Sequence, residues 1–313
     1  MPRSASVVGS TRRTVILAAA AAVTAATAAA TATGWGRDEP KTQPARADLD
    51  PAQVVDELTA GLSRTGPYRD PDADERSRAR RAARLLIDHP DDRARQEELF
   101  AGLGFGAWHG TDPATGRPFT IFLADGSDER TWGALVLDRS AGARQVVQVP
   151  HPSFDLDTEK VGLALHRRLP GSVLLVAGAH REAAGGAADV AHNGDSLFHT
   201  LAVEFARRGL DQVQLHGFAD RNLEGADAVV STGSAPRSQV AGRIAEGLSR
   251  SGLNTCRAWS RKCGQLEGTR NAQGRASAGL DSAFVHLELS WSVRRDAVGR
   301  DLVAQVLAER LRG

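Results

Sequence analysis

The sequence predicts an α/β fold in which one mixed sheet, antiparallel on its N-terminal side and parallel at its centre, is flanked by helices. Two patterns carry this expectation. Residues 103–149 contain four short apolar or β-branched runs separated by turn clusters, and connectors that short favour antiparallel neighbours. From residue 158 onward, compact apolar runs alternate with amphipathic helix patterns, the signature of βαβ units with a parallel sheet. A chain of 313 residues, 41% hydrophobic and 25% charged, is ordinary for a globular protein of one large domain or two small ones.

Taken in order, the chain opens on a targeting pattern. Arg12-Arg13 precede residues 15–32, made only of Ala, Val, Ile, Leu and Thr, with a small-residue exit at Ala30-Thr31-Ala32. A positive flank, an apolar core and small residues describe an export signal over 1–32, and the arginine pair before a weakly hydrophobic core resembles the twin-arginine type. The same run approaches the length of a membrane-spanning helix, so a retained anchor is the alternative. Residues 33–50, rich in Pro, Gly and charge, read as a disordered tether. A helical N-terminal segment follows over 51–94. It holds a short helix at 51–62, with Val54, Val55, Leu58 and Leu62 on one side, and a basic helix at 75–87 whose arginines form a solvated face.

The α/β domain spans 95–313. Its first strands are expected at 103–108, 118–123, 132–137 and 145–149, with turns such as Asp112-Pro113-Ala114-Thr115-Gly116 between them. Helix 158–169 repeats Val161, Leu165 and Leu169; strand 173–177 follows; helix 196–208 repeats Leu197, Leu201 and Phe205 and stops at Gly209. Strand 213–215 leads to a helix at 236–250 that starts on a first-turn proline, Pro236, then to strand 284–289 and a closing helix at 296–311. Cys256 and Cys263 are the only cysteines. In an oxidising compartment a pair seven apart reads as a disulfide staple.

Ligands of open α/β sheets collect past the carboxyl ends of parallel strands. Three successive candidate strands end in histidine there: His151 after 145–149, His180 after 173–177 and His216 after 213–215, from only nine histidines in the chain. Carboxylates stand near them, and imidazole with carboxylate is a zinc-binding set. In this sequence His151-Pro152-Ser153-Phe154-Asp155, Leu215-His216-Gly217 and Leu287-Glu288-Leu289 resemble the three zinc-site segments of the metallocarboxypeptidase-type fold. Its amidohydrolase branches include N-formylglutamate amidohydrolases and phage poly-γ-glutamate hydrolases. The resemblance covers about 146–290. It implies that His151, Asp155 and His216 bind Zn2+ and that Glu288 shuttles the proton. The first spacing departs from the carboxypeptidase His-x2-Glu, which leaves Asp157 or Glu159 as other acidic ligands; Thr158 and Glu159 fit the longer motif of the poly-γ-glutamate branch. His180 and His192 have no fixed counterpart. Arg181 and the loop residues Arg270, Asn271 and Arg275 are candidates to bind a substrate carboxylate or an oxyanion.

The function expected is an exported zinc-dependent hydrolase of amide bonds, acting on a small-molecule or peptide substrate. A metal-dependent phosphoesterase and a non-catalytic envelope-binding protein are the alternatives. Removing residues 1–32, which carry Arg3, Arg12 and Arg13 and no acid, moves the formal net charge from +1 to −2. That balance offers no electrostatic footprint for nucleic acid. No Walker or dinucleotide-binding fingerprint occurs.

Overall fold

The computed structural model describes residues 49–312; the export signal and most of the tether expected from the sequence lie outside the described residues. The described residues form one compact unit. Three helices come first, α1 (Pro51–Ala60), α2 (Ala73–Asp88) and α3 (Arg93–Ala101), followed by β1 (Phe105–Thr111), β2 (Pro118–Ala124), β3 (Ala134–Asp138) and β4 (Gln145–Val149). Then α4 (Thr158–Arg168), β5 (Val173–Val176), α5 (Leu197–Arg207), β6 (Asp211–Phe218), β7 (Ala228–Ser231), α6 (Gln239–Arg250) and β8 (Thr255–Arg257) alternate. The chain closes with α7 (Ala272–Ser277), β9 (Phe284–Ser290), α8 (Trp291–Arg295) and α9 (Ala297–Leu311).

Among the described residues all nine strands join one sheet in the order β1-β2-β3-β5-β4-β6-β9-β7-β8. The pairs β1–β2, β2–β3, β3–β5 and β7–β9 are antiparallel, whereas β5–β4, β4–β6, β6–β9 and β7–β8 are parallel. This is the mixed sheet expected from the patterns, with its parallel centre at β5, β4, β6 and β9. Strand alternation sorts the centre into two faces. Val147, Val149, Val213, Leu215, Val285 and Leu287 pack against Val161 and Leu165 of α4, Ile244 and Leu248 of α6 and Leu307 of α9. On the opposite face Phe122, Leu135 and Leu175 pack against Ala82 and Leu86 of α2, Phe100 of α3 and Phe205 of α5.

Helix starts follow local chemistry. Asp72 and Glu75 form a capping box at α2, Ser196 caps α5, and Asp296 accepts from Val298 and Gly299 at α9. The helix expected from Pro236 starts later, because the Ser238 hydroxyl accepts from Ala241 N–H at 3.1 Å and sets the boundary. Among the described residues no helix is long and apolar enough to cross a membrane.

Cys256 and Cys263 are joined in a disulfide. It braces the loop after β8, where Cys263 N–H donates to Glu267 at 2.8 Å and the Ser231 hydroxyl donates to the Glu267 carbonyl at 2.5 Å. Replacing both cysteines with alanine is expected to lower the unfolding free energy by about 2–3 kcal/mol, the loop-closure entropy of a short bridge. Urea denaturation followed by circular dichroism would measure it; an unchanged midpoint would show that the bridge adds nothing.

Candidate metal centre

At the carboxyl ends of β4 and β6, three side chains converge. His151 follows β4 by two residues, and there the chain folds back. Phe154 and Asp155 N–H both donate to the His151 carbonyl, at 3.0 and 2.8 Å, and the Thr158 hydroxyl donates to the Asp155 carbonyl at 2.7 Å. This turn is what makes a three-residue gap workable, since it returns the Asp155 carboxylate to the side of the His151 ring. His216 projects from β6 itself. The three residues are 1%, 3% and 5% exposed for His151, Asp155 and His216, so little water solvates their polar atoms. Asp155 Oδ2 lies 3.3 Å from His151 Nδ1 and 3.2 Å from His216 Nδ1.

The other ring nitrogens settle which tautomer is present. His151 Nε2 is 2.9 Å from Asp189 Oδ1, and His216 Nε2 is 2.7 Å from Gln214 Oε1. Gln214 is held in that orientation because its Nε2 donates to Gln148 Oε1 at 2.8 Å and to Gln273 Oε1 at 3.2 Å. A carboxylate and an amide oxygen only accept, so both Nε2 atoms carry hydrogen. A neutral ring then turns its Nδ1 lone pair on Asp155 Oδ2. Such a convergence of lone pairs in a buried site is repulsive unless a proton or a metal cation lies among them. Donors around a tetrahedral ion at about 2.0–2.1 Å stand about 3.3 Å apart, and the two observed separations match. Two imidazoles and one carboxylate, each ring fixed by a second-nitrogen bond, are a fitting set for a zinc-type ion.

The electrostatics agree with that reading. Burial alone would raise the Asp155 pKa, but the two imidazoles of His151 and His216, which favour a negative charge there once a proton or cation lies between them, outweigh it and hold the carboxyl well below its ordinary range. Asp189 is likewise depressed against the effect of burial, by His151 and His192. Burial lowers His216 more than Asp155 raises it, which favours the neutral ligand form. At His151 burial also works downward, but Asp155 and Asp189 outweigh it and raise the pKa.

Glu288 stands opposite His216 in the parallel β6–β9 register, so the two side chains project side by side from strands about 4.8 Å apart. Its Oε2 is buried without a hydrogen-bond partner. Burial, and after it the charge of Asp155, push the Glu288 pKa well above the carboxylate range. His286, two residues earlier on the same face, stacks on His216 with ring centroids 4.5 Å apart. Burial and then His216 hold its pKa well below the histidine range.

Other residues singled out from the sequence fall around this cluster. Asp157 pairs with Lys160 at 2.6 Å and Glu159 is buried in the first turn of α4, where burial raises its pKa to about 7; neither joins the converging donors. His180 accepts from Glu182 N–H at 3.2 Å and sets its ring against Phe154, outside the donor set. His192 Nδ1 is 3.1 Å from Asp189 Oδ1, behind His151. Arg181 also bonds Asp189 and lies over the Phe154 ring at 4.7 Å. Arg270 is exposed and lines a polar cavity of about 450 Å³ with His192, Gln265, Glu267 and Thr269. Asn271 is buried, caps α7 and donates to Gln214 Oε1, while Arg275 folds onto the Thr269 carbonyl at 3.2 Å. An apolar cavity of similar volume, lined by Val54, Leu58, Trp108 and Leu123, contains none of the donors.

The sequence reading missed the support beneath the donors. Gln148, Gln212, Gln214 and Gln273 are all buried and hydrogen-bonded into one network. Part of the signal was present in β6, where Gln212, Gln214 and His216 alternate with Val213 and Leu215.

Among solved structures, the chain is similar to a bacteriophage poly-γ-glutamate hydrolase, at 17% identity over 53% of this chain and 82% of that one, TM-score 0.36. It is also similar to a candidate carboxypeptidase A from Shewanella denitrificans (14%, 70% and 68%, TM-score 0.41) and to the LapA aminopeptidase of Legionella pneumophila (8%, 90% and 78%, TM-score 0.33). No family model and no curated protein matches the chain.

Two outcomes follow for metal binding. His216→Ala is expected to abolish stoichiometric binding, and Gln214→Leu to weaken it about 10–100-fold by freeing the ring it orients; competition with a chromophoric chelator measures both. Because the His151 pKa is raised, protons compete for its Nδ1 as pH falls through that value, so affinity should drop on acidification and binding should release protons. A pH-independent affinity would contradict the assignment.

Proposed function

We propose that the protein is an exported zinc-dependent hydrolase that cleaves an amide C–N bond in a peptide, an acylated amino acid or a γ-glutamyl or cell-wall fragment. The observation that carries this reading is the pair of Nδ1 atoms facing Asp155 Oδ2 at 3.3 and 3.2 Å while both Nε2 atoms are tied elsewhere. His151, Asp155 and His216 would hold the ion. When bound, zinc lowers the pKa of water towards about 7 and polarises the carbonyl under attack.

The chain's own residues supply the rest. Glu288, beside His216 on the next strand, takes the proton from the attacking water and delivers it to the leaving nitrogen. Burial raises its pKa above the carboxylate range, the direction that a proton-carrying carboxyl group needs. Arg181 is already engaged by Asp189, so it steadies the His151 side of the site. Arg270, which lines the polar cavity with His192, would receive a substrate carboxylate on its planar fork. Export is supported by the arginine pair and apolar run of residues 12–32 and by the Cys256–Cys263 bridge, which belongs to an oxidising compartment.

The test pairs metal content with turnover. Glu288→Gln should retain one zinc per chain and lose about 10²–10⁴-fold in kcat on a panel of γ-glutamyl oligomers, N-acyl amino acids and short peptides. Wild-type protein without stoichiometric zinc, or a Glu288→Gln variant with full turnover, would refute the proposal.

A further inference from the structure

Arg294, in α8, is only 4% exposed, and no carboxylate pairs with it among the described residues. Its guanidinium instead donates to three main-chain carbonyls on three separate segments. Nε reaches Leu289 at 3.1 Å, Nη2 reaches Phe218 at 3.1 Å, and Nη1 bonds Leu156. Each acceptor neighbours a member of the centre. Leu289 follows Glu288, Phe218 lies two residues past His216, and Leu156 follows Asp155. A glycine makes room for the group, since a Cβ at Gly217 would overlap the guanidinium.

We infer that Arg294 is a positioning residue for the metal centre: its planar fork ties the ends of β6 and β9 and the turn behind Asp155 into one rigid frame, and its buried positive charge offsets the two carboxylates. The inference rests on the zinc reading above and deepens it. Chemistry argues against a merely structural role. A guanidinium buried without a counter-ion is costly, and simple tying of loop carbonyls needs no permanent charge. What the location offers a charge is the two carboxylates of the centre, Asp155 and Glu288, whose fields act on Arg294 together with those of Asp157 and Asp220. Lysine would keep the charge, but as a single point on a flexible stem it cannot meet three divergent carbonyls in one plane.

The experiment is Co2+ titration of the full mature chain, following the ligand-field absorption that reports donor geometry, together with thermal unfolding of the metal-free forms. Arg294→Lys should weaken Co2+ binding about 10-fold and Arg294→Met about 100-fold, both with an altered spectrum. Gly217→Ala leaves Arg294 in place but crowds its guanidinium, so it should shift affinity and spectrum in the same direction and serves if an arginine variant fails to fold. Folded Arg294→Lys and Gly217→Ala proteins with affinity within about twofold of wild type and an unchanged spectrum would overturn the inference while leaving the zinc reading intact. A wild-type chain that binds no Co2+ or Zn2+ would remove both.

Discussion

Two buried imidazole lone pairs turned on the same carboxylate oxygen form an electrostatic arrangement that needs a positive charge at its centre. Much of the surrounding structure serves to prevent its relaxation. Asp189 and Gln214 occupy the outer ring nitrogens, so neither ring can rotate without leaving a buried donor unpaired. Asp155 is returned to the rings by the turn that closes on the His151 carbonyl. Behind these contacts stand Gln148, Gln273 and Asn271, which hold Gln214 from several sides. The site is therefore prepared before any ligand arrives, which is the condition under which a metal centre keeps its geometry.

Sheet register brings a second carboxyl group to this local arrangement. His216 and Glu288 are 72 positions apart in sequence yet lie opposite one another in adjacent parallel strands. No loop has to place the carboxylate, since the strand pairing does so. The same pairing sets Gln214 beside His286, so the polar face is continuous across β4, β6 and β9 while the reverse face is hydrocarbon.

Legibility in the sequence followed the strength of each periodic signal. Strand 145–149 and the helices around Leu165, Phe205 and Ile244 were readable because apolar repeats and caps agreed. β7 and β8, four and three residues long, are too short to show a period, and α8, with five residues, sits where a strand ends. At the site, His151, Asp155, His216 and Glu288 were readable from position past or within a strand. Of the glutamine support only the alternation of Gln212 and Gln214 in β6 left a trace, and Arg294 left none, since an arginine in a short helix has no distinguishing spacing. Asn271 looked like a substrate donor by type, and only the packing of α7 shows its amide spent on Gln214.

The amide network has a further consequence for how the strands stay indexed to one another. A slip of one residue at β6 would turn Gln212, Gln214 and His216 into the hydrocarbon layer, a change the hydrophobic pattern alone forbids. A slip of two would preserve both faces and so would escape that penalty. It would, however, set Gln214 against the wrong amide and strand its partners dry. The side-chain ladder thus works as a vernier: it discriminates between alignments that greasy packing scores alike, and so keeps imidazole opposite carboxyl.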